Sequence, residues 1–111
     1  MSYSPITIIP THRFEKELKR LIKKFPSLKN EYAQLIENIL ENPQTGTFIG
    51  NNCYKIRLAI ASKGKSKSGG ARVITHVQIT NTKIFMLSVY DKSEQSDISD
   101  KDLNEWVKML Q

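Results

Sequence analysis

The chain has 111 residues, 39% hydrophobic and 25% charged, with a formal net charge of +6. That is enough for a single domain spanning residues 1–111 with a real core, and the basic balance favours nucleic acid, an acidic protein or an anionic surface as partner. The apolar runs are too short to cross a bilayer, and the start, MSYSPITIIPTHRFEK, lacks the charged and apolar regions of a signal peptide. Cys53 has no second cysteine to pair with, and Cys53, His12 and His76 do not make a zinc set, so the expectation is a reduced, cytoplasmic protein with no metal and no cofactor.

In chain order, Tyr3 to Ile9 is short and β-prone, and Pro10 stops it. Thr11 is placed to cap a helix whose apolar residues Phe14, Leu18, Leu21, Ile22 and Phe25 form one stripe, with lysines and Arg20 on the other faces. Pro26 ends it and Ser27 can cap a second helix, striped by Leu28, Tyr32, Leu35, Ile36, Ile39 and Leu40 and stopped at Asn42-Pro43. The period then changes from 3.6 to 2. Tyr54, Ile56, Leu58 and Ile60 alternate with Lys55, Arg57, Ala59 and Ala61; Ala71 to Thr80 and Lys83 to Lys92 read as two further strands, joined at Asn81-Thr82. Ser62 to Gly70 is a Gly/Ser/Lys loop. Ser99 with Asp102 resembles a capping box ahead of a short helix carrying Leu103, Trp106, Val107 and Leu110. The expected fold class is α+β: an antiparallel sheet in the order β-α-α-β-β-β-α, with the helical hairpin packed on one face.

Between Glu41 and Asp91 there are seven Lys or Arg and no Asp or Glu, and six of the seven lie from Lys55 to Arg72. Strand parity sorts them. If Tyr54, Ile56 and Leu58 face the helices, Lys55 and Arg57 face away. Val73, Val77 and Ile79 share the core parity of the next strand, leaving Arg72, Ile74, His76 and Gln78 opposite. On the third strand unbroken alternation puts Phe85, Leu87 and Val89 in the core and Met86, Ser88, Tyr90 and Lys92 outside. The face away from the helices then gathers Lys55, Arg57, Arg72, His76, Tyr90 and Lys92, with no carboxylate among them.

Such a face suits a phosphodiester. Arginine grips phosphate through its fork, lysine as a point charge, and tyrosine can stack on a base. In RNA the adjacent 2′-hydroxyl is a built-in nucleophile, so cleavage needs a base, cations for the developing charge, and an acid for the leaving oxygen. A lysine among cations or His76 can supply the proton transfer. Lys63, Lys65 and Lys67 lie on the loop and are read, with His76, as contacts for RNA or ribosome, or for an acidic protein, rather than as reacting groups. The plainer readings are solvated basic faces, an Arg72 paired with Asp91 or Asp97, and a structural His76.

The blocks Cys53-Tyr54-Lys55-Ile56-Arg57, Lys63-Gly64-Lys65-Ser66-Lys67-Ser68-Gly69-Gly70-Ala71-Arg72-Val73-Ile74, Leu87-Ser88-Val89-Tyr90-Asp91-Lys92 and Ser96-Asp97-Ile98-Ser99 resemble the RelE/ParE superfamily of toxins of type II toxin–antitoxin systems, nearest its HigB/RelE-like branch. The resemblance covers nearly the whole chain. It implies two helices on an antiparallel sheet and a metal-independent endoribonuclease that cleaves mRNA in the ribosomal A site and inhibits translation. It also implies a cognate antitoxin, with a higher-order complex on operator DNA as an extension of that partnership. By the same resemblance Lys55, Arg57, Arg72 and Lys92 fall on the family's basic positions, with Arg72 on the scissile phosphate. The C-terminal tyrosine of the RelE branch falls near Ile98 or Ser99 and is missing, which leaves Tyr90 or His76 to take its place. Two other readings stand beside this one: a gyrase poison of the ParE kind, and a nucleic-acid-binding module without catalysis.

Overall fold

The computed structural model describes residues 6–63, 69–78 and 82–110. Tyr3, Lys65, Lys67, Ile79 and Asn81 lie outside the described residues, as does the side chain of Lys63. The elements are β1 (Thr7–Pro10), α1 (His12–Lys24), α2 (Leu28–Glu41), β2 (Thr47–Gly50), β3 (Cys53–Leu58), a 3-10 turn (Ala61–Lys63), β4 (Ala71–Gln78), β5 (Lys83–Asp91) and α3 (Asp100–Lys108).

The helix limits follow local chemistry. Thr11 caps α1: its side chain accepts from the Phe14 N–H at 3.2 Å while its own hydroxyl donates to the Met86 carbonyl at 3.0 Å, tying the helix start to β5. Phe25 precedes Pro26 and sits at φ −129°, ψ 90°; Asn42 precedes Pro43 at φ −140°, ψ 94°. Both residues are pushed out of the helical region by the following ring, so both helices stop there. Ser27 does not cap α2. Its hydroxyl instead accepts from the Ser62 N–H at 2.9 Å and donates to Glu31, joining the hairpin to the turn after β3. Ser99 does cap α3, accepting from the Asp102 N–H at 3.1 Å.

One five-stranded sheet has the order β1-β5-β4-β3-β2. It differs from the expected sheet in two respects. A strand that periodicity did not show, β2, pairs antiparallel with β3 through Asn51 and Asn52, both left-handed (φ +53° and +58°), as a two-residue type I′ turn requires. Four residues are too few to display a period, so only the Asn-Asn pair announced this hairpin. The second difference is β1, which lies parallel to β5, making the sheet mixed rather than antiparallel throughout.

A third departure changes which side chains share a face. β4 and β5 pair with a shift, Ile74 opposite Ser88 and Thr75 opposite Met86, so Leu87 is the extra residue of a β-bulge. A bulge reverses parity on one side of itself. Ile84, Met86 and Val89 therefore pack with Phe14, Leu21, Leu28, Leu35 and Ile39 under the helical hairpin. Phe85, Leu87 and Tyr90 lie on the opposite face with Cys53 and Ile74, covered by Leu103, Trp106 and Val107 of α3. The expectation that Phe85 and Leu87 face the hairpin and Met86 faces away is corrected; Val89 and Tyr90, beyond the bulge, lie as expected. The molecule has three layers: hairpin, sheet, and α3 over part of the second face.

Glu17 completes the packing of α1 on β5. β1 pairs with β5 only as far as Met86, and beyond it the Glu17 carboxylate accepts from Ser88 Oγ at 2.8 Å and the Val89 N–H at 3.2 Å. Removing that acceptor leaves two part-buried donors without it. Glu17→Ala is expected to cost about 1–3 kcal/mol, measured as a fall in the midpoint of denaturant unfolding.

Candidate functional site

Three strands bring the candidate residues into one row. Arg57 on β3 is paired with Arg72 on β4, and Arg72 with Tyr90 on β5. Neighbouring strands lie about 4.8 Å apart, so the three side chains rise side by side from one face. Arg57 is exposed, whereas Arg72 and Tyr90 are only 5% and 4% exposed. The Arg72 guanidinium donates to the Ala71 carbonyl at 3.1 Å. Lys55 stands two residues before Arg57 on the same face, and Lys92 two residues after Tyr90. The Lys92 N–H donates to the Gly70 carbonyl at 3.0 Å, which seats the end of β5 beside the start of β4.

Gly70 makes this seat possible. A Cβ at that position would collide with the Leu58 carbonyl oxygen, so only glycine lets the chain enter β4 this close to β3. The buried Asp91 holds the other side: its carboxylate accepts from the Ser93 N–H at 2.9 Å and the Ser93 hydroxyl at 2.7 Å, and lies 3.8 Å from Lys24 Nζ. Its backbone carbonyl accepts from Glu94 and Gln95. The turn that carries Lys92 is thus fixed from both ends.

The expectation that this face carries no carboxylate is overturned. Asp97, in the segment between β5 and α3, places its carboxylate 3.2 Å from Lys55 Nζ. It also accepts from the Ile98 N–H at 2.8 Å. That backbone hydrogen bond is the first cause holding its pKa below the usual carboxylate value, and Lys55 and then Lys92 add to it. The Tyr90 hydroxyl is shielded and lies near the Asp97 carboxylate. Burial raises its pKa most, Asp97 raises it further, and Arg72 acts in the other direction. Strand parity could not find Asp97, because it sits outside the strands. In sequence it stood only as a possible partner of Arg72, beside Ile98 and Ser99 where the resemblance places the missing tyrosine.

His76 is not in this group. It pairs with Cys53 and Phe85, four residues along β4 from Arg72, or about 13 Å of extended chain. Ile74, packed under α3, stands between them. The His76 Nδ1 is 3.5 Å from Cys53 Sγ, and burial lowers the imidazole pKa against the opposing effect of a hydrogen bond to the Asn51 backbone. Burial also pushes the Cys53 thiol up to about 12, so it is not a nucleophile. Of the loop lysines, Lys63 ends the 3-10 turn, and Lys65 and Lys67 lie outside the described residues.

Of the row, Arg57 is exposed, while Arg72 and Tyr90 are almost wholly covered. A cleft of about 570 Å³ lies elsewhere, between the start of α1 and the end of α3, lined by Arg13, Leu87, Trp106 and Met109 among others. Among the described residues no three His, Cys, Asp or Glu side chains converge as a metal site would require, and no helix is long and apolar enough to cross a membrane.

The family model for the RelE toxin of the RelE/RelB toxin–antitoxin system matches residues 11–111. The chain belongs to the RelE toxin family. Its fold is similar to that of a double arginine-to-alanine mutant of the E. coli toxin RelE in the free state, with a TM-score of 0.63 at 21% identity, covering 97% of this chain and all of that one. It is similar to RelE in the intact E. coli RelBE toxin–antitoxin complex, with a TM-score of 0.59 at 22% identity over 78% of this chain and 95% of that one. A RelBE complex from Mycobacterium tuberculosis gives 0.56 at 16% identity, over 79% and 99%. At these identities the structural likeness speaks to the fold, and the family model to membership.

Proposed function

We propose that this RelE-family toxin is an endoribonuclease that cuts mRNA on the ribosome and is neutralised by a cognate antitoxin. The observation that carries this reading is the row Arg57–Arg72–Tyr90, with Lys55 on the same face and Lys92 in the turn just past β5. Like charges set directly opposite on paired strands destabilise a sheet, and an anion laid across them relieves that repulsion. A phosphodiester is such an anion. Arg72, almost wholly covered, would stabilise charge on the scissile phosphate more effectively than an exposed cation could. Arg57 and Lys55 would hold the neighbouring oxygens, and Lys92 would face the leaving oxygen. Tyr90, a neutral phenol beside Arg72, would orient or stack on a base. Lys63, Lys65 and Lys67 are placed in sequence to steer the toxin onto ribosomal RNA. The products would be a 2′,3′-cyclic phosphate and a 5′-hydroxyl, since the nucleophile belongs to the RNA.

Induced expression tests the reading. Wild type is expected to arrest growth with cleavage of translated mRNA, and Arg72→Ala to do neither. Equal growth and intact mRNA in both would sink it. A DNA-damage response with translation intact would instead select a gyrase poison.

A further inference from the structure

We infer that the Asp97 carboxylate is the general base of this site, taking the proton from the attacking 2′-hydroxyl. The inference rests on the endoribonuclease reading above and supplies the base that reading lacks.

Cleavage by a neighbouring 2′-hydroxyl requires an acceptor that is unprotonated before the reaction begins. Arg57 and Arg72 cannot lose a proton at any pH of interest. Lys55 is the cationic partner of an ion pair and has no free lone pair while it holds that role. Tyr90 is a phenol, protonated at neutral pH, whose pKa burial raises further, and its hydroxyl is shielded from solvent. His76 is separated from the row by Ile74. Asp97 remains. Its carboxylate is the one carboxylate described in contact with the cations of the row, it is more than half exposed at 59%, and it reaches Lys55 at 3.2 Å. The Ile98 N–H and the hydrogen bond from Gln95 Nε2 to the Asp97 carbonyl at 3.0 Å hold the residue's backbone and side chain in place. The ordinary pKa sits below neutral and the site lowers it further, so the group is ionised when substrate arrives.

The assignment requires that a phosphate held by Arg57 and Arg72 present the ribose of the preceding nucleotide to the carboxylate that Asp97 holds beside Lys55. The 2′-O–H bond breaks, its proton passes to Asp97, and the 2′-oxygen forms a bond to phosphorus. The bond from phosphorus to the 5′-oxygen breaks, and that oxygen leaves with a proton from the Lys92 ammonium. Water then returns the proton from Asp97 to Lys92, and no oxidant or cofactor enters the balance. The cations that keep Asp97 ionised also make it a weak base, so its contribution belongs at the low end of general-base catalysis, about 10²-fold.

The test is single-turnover cleavage of a defined mRNA on programmed ribosomes by wild type, Asp97→Asn and Asp97→Glu. Asparagine keeps the shape and the acceptor for Ile98 but cannot take a proton. Asp97→Asn is expected to lose about 10²-fold in the cleavage rate, to bind ribosome-bound mRNA at least as tightly because a negative charge has gone, and to unfold at the wild-type midpoint. Asp97→Glu is expected to recover part of the rate. A wild-type or faster rate in Asp97→Asn would overturn the assignment and leave the residue as a counter-ion to Lys55, with the endoribonuclease reading intact. An equal loss in the glutamate and asparagine variants, accompanied by weaker mRNA binding, would overturn it in favour of a structural role. Absence of cleavage by wild type would remove the reading and the base together.

Discussion

Replacing Arg72 by alanine is expected to lower the rate of mRNA cleavage by about 10²–10³-fold, the range for removing one preorganised donor from a developing oxyanion. Arg72 differs from the other cations of the row in its burial, at 5% exposed. Water screens an exposed guanidinium, so Arg57→Ala should cost less than Arg72→Ala although the two residues are neighbours. The loss should fall on the chemical step more than on binding, because several other cations remain to hold the polyanion. Arg72→Lys keeps the charge and loses the planar fork, and should recover only part of the rate. The comparison uses single-turnover cleavage beside an unfolding midpoint for each variant. A rate loss in Arg57→Ala as large as that in Arg72→Ala would show that charge alone, and not its shielding, sets the effect.

The second large effect is on stability. Phe14→Ala is expected to cost about 3–5 kcal/mol, the range for emptying an aromatic site in a packed core. Phe14 is fully buried one turn into α1 and touches Tyr32 of α2, with ring centroids 5.6 Å apart. It therefore joins both helices to the sheet, and neither helix can move in to fill the space without breaking the Thr11 anchor to β5. A small domain holds only about 5–15 kcal/mol of net stability, so this one change removes a large part of it. Chemical unfolding followed by circular dichroism reads the cost directly. A shift below about 1 kcal/mol would mean that the hairpin repacks freely, contrary to the tight coupling seen here.

Both helices of the hairpin, the caps at Thr11 and Ser99, β3, β4 and β5 were legible in the chain itself, and each for a local reason. Apolar residues at helical spacing, a residue forced out of the helix by a following proline, and strict alternation from Tyr54 to Ala61 need no information from elsewhere in the molecule. The basic row was legible too, since Arg57, Arg72 and Tyr90 lie on strands whose parity could be counted. β2 was not, because TFIG is shorter than any period.

Tertiary structure decided the rest. The bulge at Leu87 is a register shift between two strands, and a single sequence carries no register. It moved Phe85 and Leu87 to the second face, where α3 covers them and separates His76 from the cations. The same folding back of the segment after β5 carried Asp97 onto Lys55, across 42 residues of chain. Local chemistry could thus name the cations that share one face of the sheet, because their placement depends on strand parity alone. It offered Asp97 only as a possible partner of Arg72 and could not give its contact with Lys55, because that contact exists only after the sheet has formed and the segment before α3 has folded back onto it.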